Sequence, residues 1–176
     1  MNRTLLLVFV AGVTFHPALL RAQSQPLPDD YVPRGHVPGH GLAPGMKAQE
    51  MGSAGRTFKI TFSKGDEVAS GMTEFAEKNH LKASHVTGIG ALDSAVLGWY
   101  DPEKRAHKKI VINQEVEVAS FVGSINIQNG KPVFHAHAVL GSSDGSTKGG
   151  HFVEGHVSVF MEVFVVETDT AAGSSR

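Results

Sequence analysis

The chain has no cysteine. That excludes disulfides, thiolate-bound zinc and a cysteine nucleophile. It does not settle the compartment, because many exported proteins lack disulfides. A surplus of charge is also missing: 16 Lys and Arg stand against 17 Asp and Glu, a formal net charge of −1. A protein that wraps nucleic-acid phosphates needs a basic excess. Past residue 20, no apolar run is long enough to cross a bilayer. No Gly-Lys-Ser/Thr follows a glycine-rich stretch, so a phosphate loop is excluded. Gly88-Ile89-Gly90 has no third glycine opening a helix and fails as a dinucleotide fingerprint. Ser142, Ser143 and Ser146 lie near Asp144, but nothing marks one of them as a strained nucleophile. Glu115 and Glu117 share a strand face, which without a pocket is weak support for acid–base work.

What the chain does have is the balance of a single globular domain: 176 residues, 41% hydrophobic and 19% charged. Its first residues, Met1-Asn2-Arg3, are basic, and residues 4–20 are mostly apolar around Leu5-Leu6-Leu7-Val8-Phe9-Val10-Ala11. Small-residue cleavage contexts follow at Leu20-Arg21-Ala22 and Ala22-Gln23-Ser24. Residues 1–22 therefore read as a secretory signal peptide, giving a periplasmic or secreted protein with no stable membrane span after cleavage. An uncleaved anchor is the competing reading, weakened by His16, Pro17 and Arg21 within the segment. Loss of Arg3 and Arg21 takes the formal charge to −3. Residues 23–55, with five prolines interleaved with glycines, read as a spacer too poor in apolar side chains to offset its ordering entropy. His36 and His40 lie in it, on a weak scaffold for a second metal site.

Residues 56–168 form the expected domain, followed by a flexible tail, 169–176. Thr57-Phe58-Lys59-Ile60-Thr61-Phe62 alternates as a strand does. Ser63-Lys64-Gly65-Asp66 breaks it, and residues 67–80 place Val68, Met72, Phe75 and Ala76 at helical spacing. Short strands are expected at 84–91, 94–100, 108–112, 115–127, 133–140, 151–157 and 159–167. A hairpin is expected at Asn129-Gly130. In the last run, Val157, Val159, Met161, Val163 and Val165 form an apolar face, and His156 and Glu162 share the more polar face if the strand is unbroken. The class is α+β: a twisted, mainly antiparallel sheet of short strands with one main amphipathic helix near the start of the domain.

The chemistry gathers at histidine. Val133-Phe134-His135-Ala136-His137-Ala138-Val139-Leu140 reads as a buried or half-buried strand, so His135 and His137 point the same way. Gly149-Gly150-His151 follows, a glycine-rich loop able to place His151 at a pocket mouth. Three imidazoles can hold a divalent metal and leave one position open, as in catalytic zinc sites. Packed, hydrogen-bonded core histidines are the competing reading. Glu117, His156 and Glu162 are candidates for an extra ligand or for orienting a ligand from behind; Glu162 can equally face solvent. The basic run Lys104-Arg105-Ala106-His107-Lys108-Lys109 reads as a solvated loop or lysine-guarded edge strand ahead of a nucleic-acid contact. Trp99 and Tyr100 offer stacking, with packing as the default.

These residues resemble the plants-and-prokaryotes-conserved (PPC) domain over residues 56–167. The likeness is carried by Gly88-Ile89-Gly90-Ala91, Glu117-Val118-Ala119-Ser120-Phe121-Val122-Gly123-Ser124, His135-Ala136-His137, and Asp144-Gly145 leading to Gly149-Gly150-His151. The pattern resembles the free-standing bacterial and archaeal branch. The resemblance implies a twisted antiparallel α+β fold and a homotrimer. It implies zinc as the metal, on His135, His137 and His151. Plant members bind AT-rich DNA through a separate Arg-Gly-Arg-Pro core; here Pro33-Arg34-Gly35-His36 lacks it. Plant domains also carry an Arg-Glu-Phe-type segment, where this chain has Gln114-Glu115-Val116-Glu117. The expectation is thus an exported domain binding a divalent metal, and a small anionic ligand, in preference to catalysis. A DNA-associated scaffold and a metal-dependent enzyme on a small substrate are the alternatives.

Overall fold

The computed structural model describes residues 26–33, 35–36, 39–50 and 55–168. The expected signal peptide and tail lie outside the described residues. In chain order the strands are β1 (Tyr31–Pro33), β2 (Lys47–Glu50), β3 (Thr57–Ser63), β4 (Ala83–Asp101), β5 (Ala106–Ile112), β6 (Val116–Gln128), β7 (Lys131–Gly141) and β8 (Thr147–Glu167). One short helix, α1 (Val68–Lys78), joins β3 to β4. The strands form one antiparallel sheet in the order β1-β5-β4-β6-β7-β8-β3-β2. A further β4–β8 pairing closes a circuit through β4, β6, β7 and β8.

Period-2 patterning accounts for most of the local structure. Phe58, Ile60 and Phe62 of β3 are buried, as are Ala136, Ala138 and Leu140 of β7. Asn129 and Gly130 have φ of 51° and 78°, the left-handed pair that a tight two-residue hairpin requires, and Gln128 pairs with Lys131. Val68, Met72, Phe75 and Ala76 of α1 join Phe62, Phe121, Ile125, Met161 and Val163 in one core. Phe75 meets Phe58 edge-on at 5.0 Å. Glu67, expected inside the helix, caps it instead: its buried carboxylate accepts from the Ala69 and Ser70 amides.

The strands are longer than the sequence reading had them. Residues 84–91 and 94–100 belong to one 19-residue strand, and 151–157 and 159–167 to one of 21 residues. Two glycines inside the first of these strands are points of close backbone approach. A Cβ on Gly90 would lie 2.6 Å from Met161 Cα, and one on Gly88 2.9 Å from the Glu162 carbonyl oxygen. Bulges interrupt the β4–β8 register near Gly90 and Leu92, so the apolar face of β8 is not continuous. Val159 is accordingly 62% exposed while Val157 and Met161 are buried.

Part of the expected spacer is tied down. β1 pairs with β5 and β2 with β3. The Gly45 amide donates to Asp66 Oδ1 at 2.7 Å, and the Glu67 amide to the Leu42 carbonyl at 2.6 Å. No helix among the described residues is long and apolar enough to cross a membrane.

Candidate metal centre

β7 exposes His135 and His137 because Ala136 and Ala138 take the core side. His151 stands directly across from His137 in the β7–β8 register, and across from Gly98 in the β4–β8 register. Three histidines thus converge on the outer face of the closed strand circuit. Their ring nitrogens include one from each residue that lie within 4.8 Å of one another. Ring centroids are 5.3 Å apart for His135 and His137, 4.9 Å for His135 and His151, and 5.6 Å for His137 and His151.

His151 does not sit in a loop. Gly149 and Gly150, expected to form a pocket loop, are strand residues of β8 facing Val139 and Ala138. The loop is confined to the turn between β7 and β8, held by the Ser142 amide on the Ser146 carbonyl at 2.8 Å. The reason for Gly150 is contact between backbones: a Cβ there would lie 2.7 Å from the Gly98 carbonyl oxygen.

The cluster has a fourth histidine beside it that the sequence reading placed in a basic run. His107 of β5 lies flat on His151, with centroids 4.3 Å apart and planes 12° from parallel. It occupies the space over Gly98, where a Cβ would come within 2.8 Å of His107 Cβ. Tyr100 flanks it at 5.3 Å. The only clue in the sequence was a glycine inside the apolar run Leu97-Gly98-Trp99.

The three carboxylate and imidazole candidates stay outside the cluster. Glu117 pairs with Gly141, four residues along β7 from His137 and so about 13 Å away. His156 is drawn to the helix end, bridging to Glu67. Glu162 forms an ion pair with Lys59 Nζ at 2.5 Å. Bulges between His156 and Glu162 break their shared face. Among the basic run, Lys104 Nζ pairs with Asp101 at 3.0 Å. The Lys104 backbone N–H and then its ammonium hold the Asp101 carboxyl at about 2.

Do these residues fit a metal? His151 Nδ1 is buried and has no hydrogen-bond partner among the described residues. A buried polar nitrogen without a partner is costly. Burial, then the neighbouring His107, His135 and His137, pull the His151 pKa down to about 4. It is therefore neutral at physiological pH, as a ligand must be. A three-imidazole donor set suits zinc, copper, nickel or iron better than calcium or magnesium. The residues fit a transition metal.

Next to His137 an open cleft of about 450 Å³ runs across β4, β6, β7 and β8. Trp99, Tyr100, Ser120, Val122 and Val139 border it.

Comparison with known proteins places this geometry. No curated protein matches the chain by sequence. A Pyrococcus horikoshii structure described as a plant- and prokaryote-conserved (PPC) protein is 33% identical, covering 68% of this chain and 82% of its own, with a TM-score of 0.63. A structure described as a metal-containing protein from Archaeoglobus fulgidus is also 33% identical, covering 68% and 84%, with a TM-score of 0.60. A Ralstonia eutropha protein with a provisional DNA-binding name is 26% identical, covering 68% and 82%, with a TM-score of 0.62. The family model of the Plants and Prokaryotes Conserved (PCC) domain matches residues 49–169. On that match, and on the fold and histidine cluster it contains, the chain belongs to the Plants and Prokaryotes Conserved domain family.

Proposed function

We propose that this chain is an exported domain that binds one divalent metal ion, zinc by choice, through His135, His137 and His151. Water or a small anion completes the shell. One observation carries the reading: His135, His137 and His151 each bring a ring nitrogen within 4.8 Å of the others, and His151 also has a buried Nδ1 without a partner. The metal-containing name of the Archaeoglobus fulgidus relative supports it. A metal held this way supplies Lewis acidity at its open position. The chain's own contribution is to orient the ligands. Among the described residues no carboxylate joins the three histidines, so a general base is not evident and binding is favoured over turnover. A metal-dependent enzyme would show turnover of a small ester, amide or phosphate that is lost in His137→Ala.

The test is elemental analysis of protein purified without chelator or affinity tag, beside the His135→Ala/His137→Ala double variant. About one zinc per chain, lost in a variant that still folds, supports the site. Metal in neither protein, even after zinc is offered, returns the histidines to packing roles.

Export is supported by residues 1–22 of the sequence and is tested by fractionating cells for the processed protein. Assembly as a homotrimer is supported by apolar side chains left on the outer face: Ile89, Val159 and Phe160 are each about half exposed or more. Sedimentation analysis tests it. A DNA-associated scaffold is the reading that the name of the Ralstonia eutropha relative suggests. It predicts salt-dependent DNA affinity through residues 104–109, against a near-neutral chain.

A further inference from the structure

We propose that the ligand of this centre is a small monocarboxylate with a flat apolar tail, its carboxylate on the metal and its tail in the cleft beside His137. The inference rests on the metal reading above and names the ligand class for that site.

The cleft is of small-ligand size, about 450 Å³. It meets the histidine cluster at one place, His137. Its walls are apolar and outward-facing: Trp99 is 60% exposed, Val122 48%, Tyr100 40% and Val139 38%. Four such side chains round one opening form a patch that water does not favour and a flat apolar group would cover. Tyr100 and Trp99 offer ring faces for stacking.

Charge then limits the head group. Among the described residues no Lys, Arg, Asp or Glu lines the cleft. The metal would be the only partner for an ionised ligand group. The ion's charge is offered at one open position, so one anionic head group is matched there, whereas a second anionic group further along the ligand would be desolvated against apolar walls without compensation. Lys108, Lys109 and Lys148 lie opposite Trp99, Gly98 and Leu140 in register, but none of them borders the space. Ser120 adds one hydroxyl, enough to orient an uncharged polar atom.

Trp99 is the only tryptophan in the chain, so its fluorescence reports on the cleft directly. The experiment titrates zinc-loaded and zinc-free protein with benzoate, acetate and inorganic phosphate, with zinc content measured on the same samples. Benzoate is expected to bind the zinc-loaded protein about tenfold or more tighter than acetate, from burial of its ring. Phosphate, with no tail for the cleft, should bind more weakly than benzoate, and zinc-free protein should not bind benzoate. Val122→Asp, at an exposed position, should weaken benzoate about tenfold or more by setting a carboxylate in the wall. Zinc bound with benzoate no tighter than acetate overturns the proposal and leaves the metal site standing. Phosphate binding tightest overturns it too, and means that a compact anion with no apolar tail is the better ligand, with Lys108, Lys109 or Lys148 as the cations to test. Dissociation of an oligomer by Val122→Asp, with no benzoate binding in the parent, overturns it in favour of a second subunit on these walls. Failure to bind zinc at all removes both readings.

Discussion

His107 lies flat on the face of His151, rings 4.3 Å apart and 12° from parallel, in space that Gly98 leaves open. The contact walls off one side of an imidazole whose Nδ1 is already buried without a partner. Groups behind a metal ligand fix its orientation, and their loss typically lowers affinity about 10–100-fold. His107→Ala should therefore weaken zinc binding by about tenfold, and His107→Phe, which keeps a flat ring, should restore most of it. Chelator competition measures both. Equal affinities in all three proteins would mean that the stack does not orient His151.

The metal-free protein should lose stability in mild acid. Burial first, and then the adjacent histidines, lower the His151 pKa from 6.5 to about 4 on folding. The unfolded chain takes up this proton more readily, so stability from the neutral ring is complete above about pH 6.5 and falls as pH drops toward 4. The loss reaches on the order of 3 kcal/mol at most. Denaturant melts of apo-protein between those pH values measure it, and His151→Phe should flatten that slope. An unchanged slope would show that His151 does not set it.

Gly149 and Gly150 should respond oppositely to alanine. A Cβ on Gly150 would strike the Gly98 carbonyl oxygen at 2.7 Å, backbone against backbone, whereas one on Gly149 meets nothing nearer than 3.4 Å. Gly150→Ala should cost about 1–3 kcal/mol and loosen the His151–Gly98 pairing. Gly149→Ala should be neutral or stabilise by up to about 1 kcal/mol. Thermal melting separates them; equal melting temperatures would show that the two strands are free to part.

Glu67 should tolerate no amide. Its buried carboxylate accepts from Ala69, Ser70 and Gly155 amides, tying the helix start to β8. Burial raises its pKa although those bonds oppose the rise. Glu67→Gln turns an N–H donor toward backbone N–H donors and should cost about 1–3 kcal/mol. Urea unfolding tests this, and a loss below about 0.5 kcal/mol would mean the cap is replaceable.

Much of this was legible because it depends on nearest neighbours in the chain. Alternation around Phe58 and around Ala136 gave strand faces, and Asn129-Gly130 gave the hairpin. The pairing of His135 and His137 on one face needed only the strand period of two. Glycine misled, since one residue type marks both a turn and a close approach of backbones. Gly149 and Gly150 were read as a loop and lie within a long strand. Glu162 and His156 left their expected common face because bulges, which need a partner strand to exist, shift the register between them.

By itself, then, the sequence determined which side chains share a face, where the chain turns tightly, and that three histidines were available to meet. Which strands adjoin was decided only by the tertiary structure. Pairing β7 with β8 put His151 opposite His137, and closing β4, with β5 alongside it, onto β8 brought His107 over the same ring. Such meetings depend on register between strands far apart in sequence, where a shift of one residue turns every side chain to the other face.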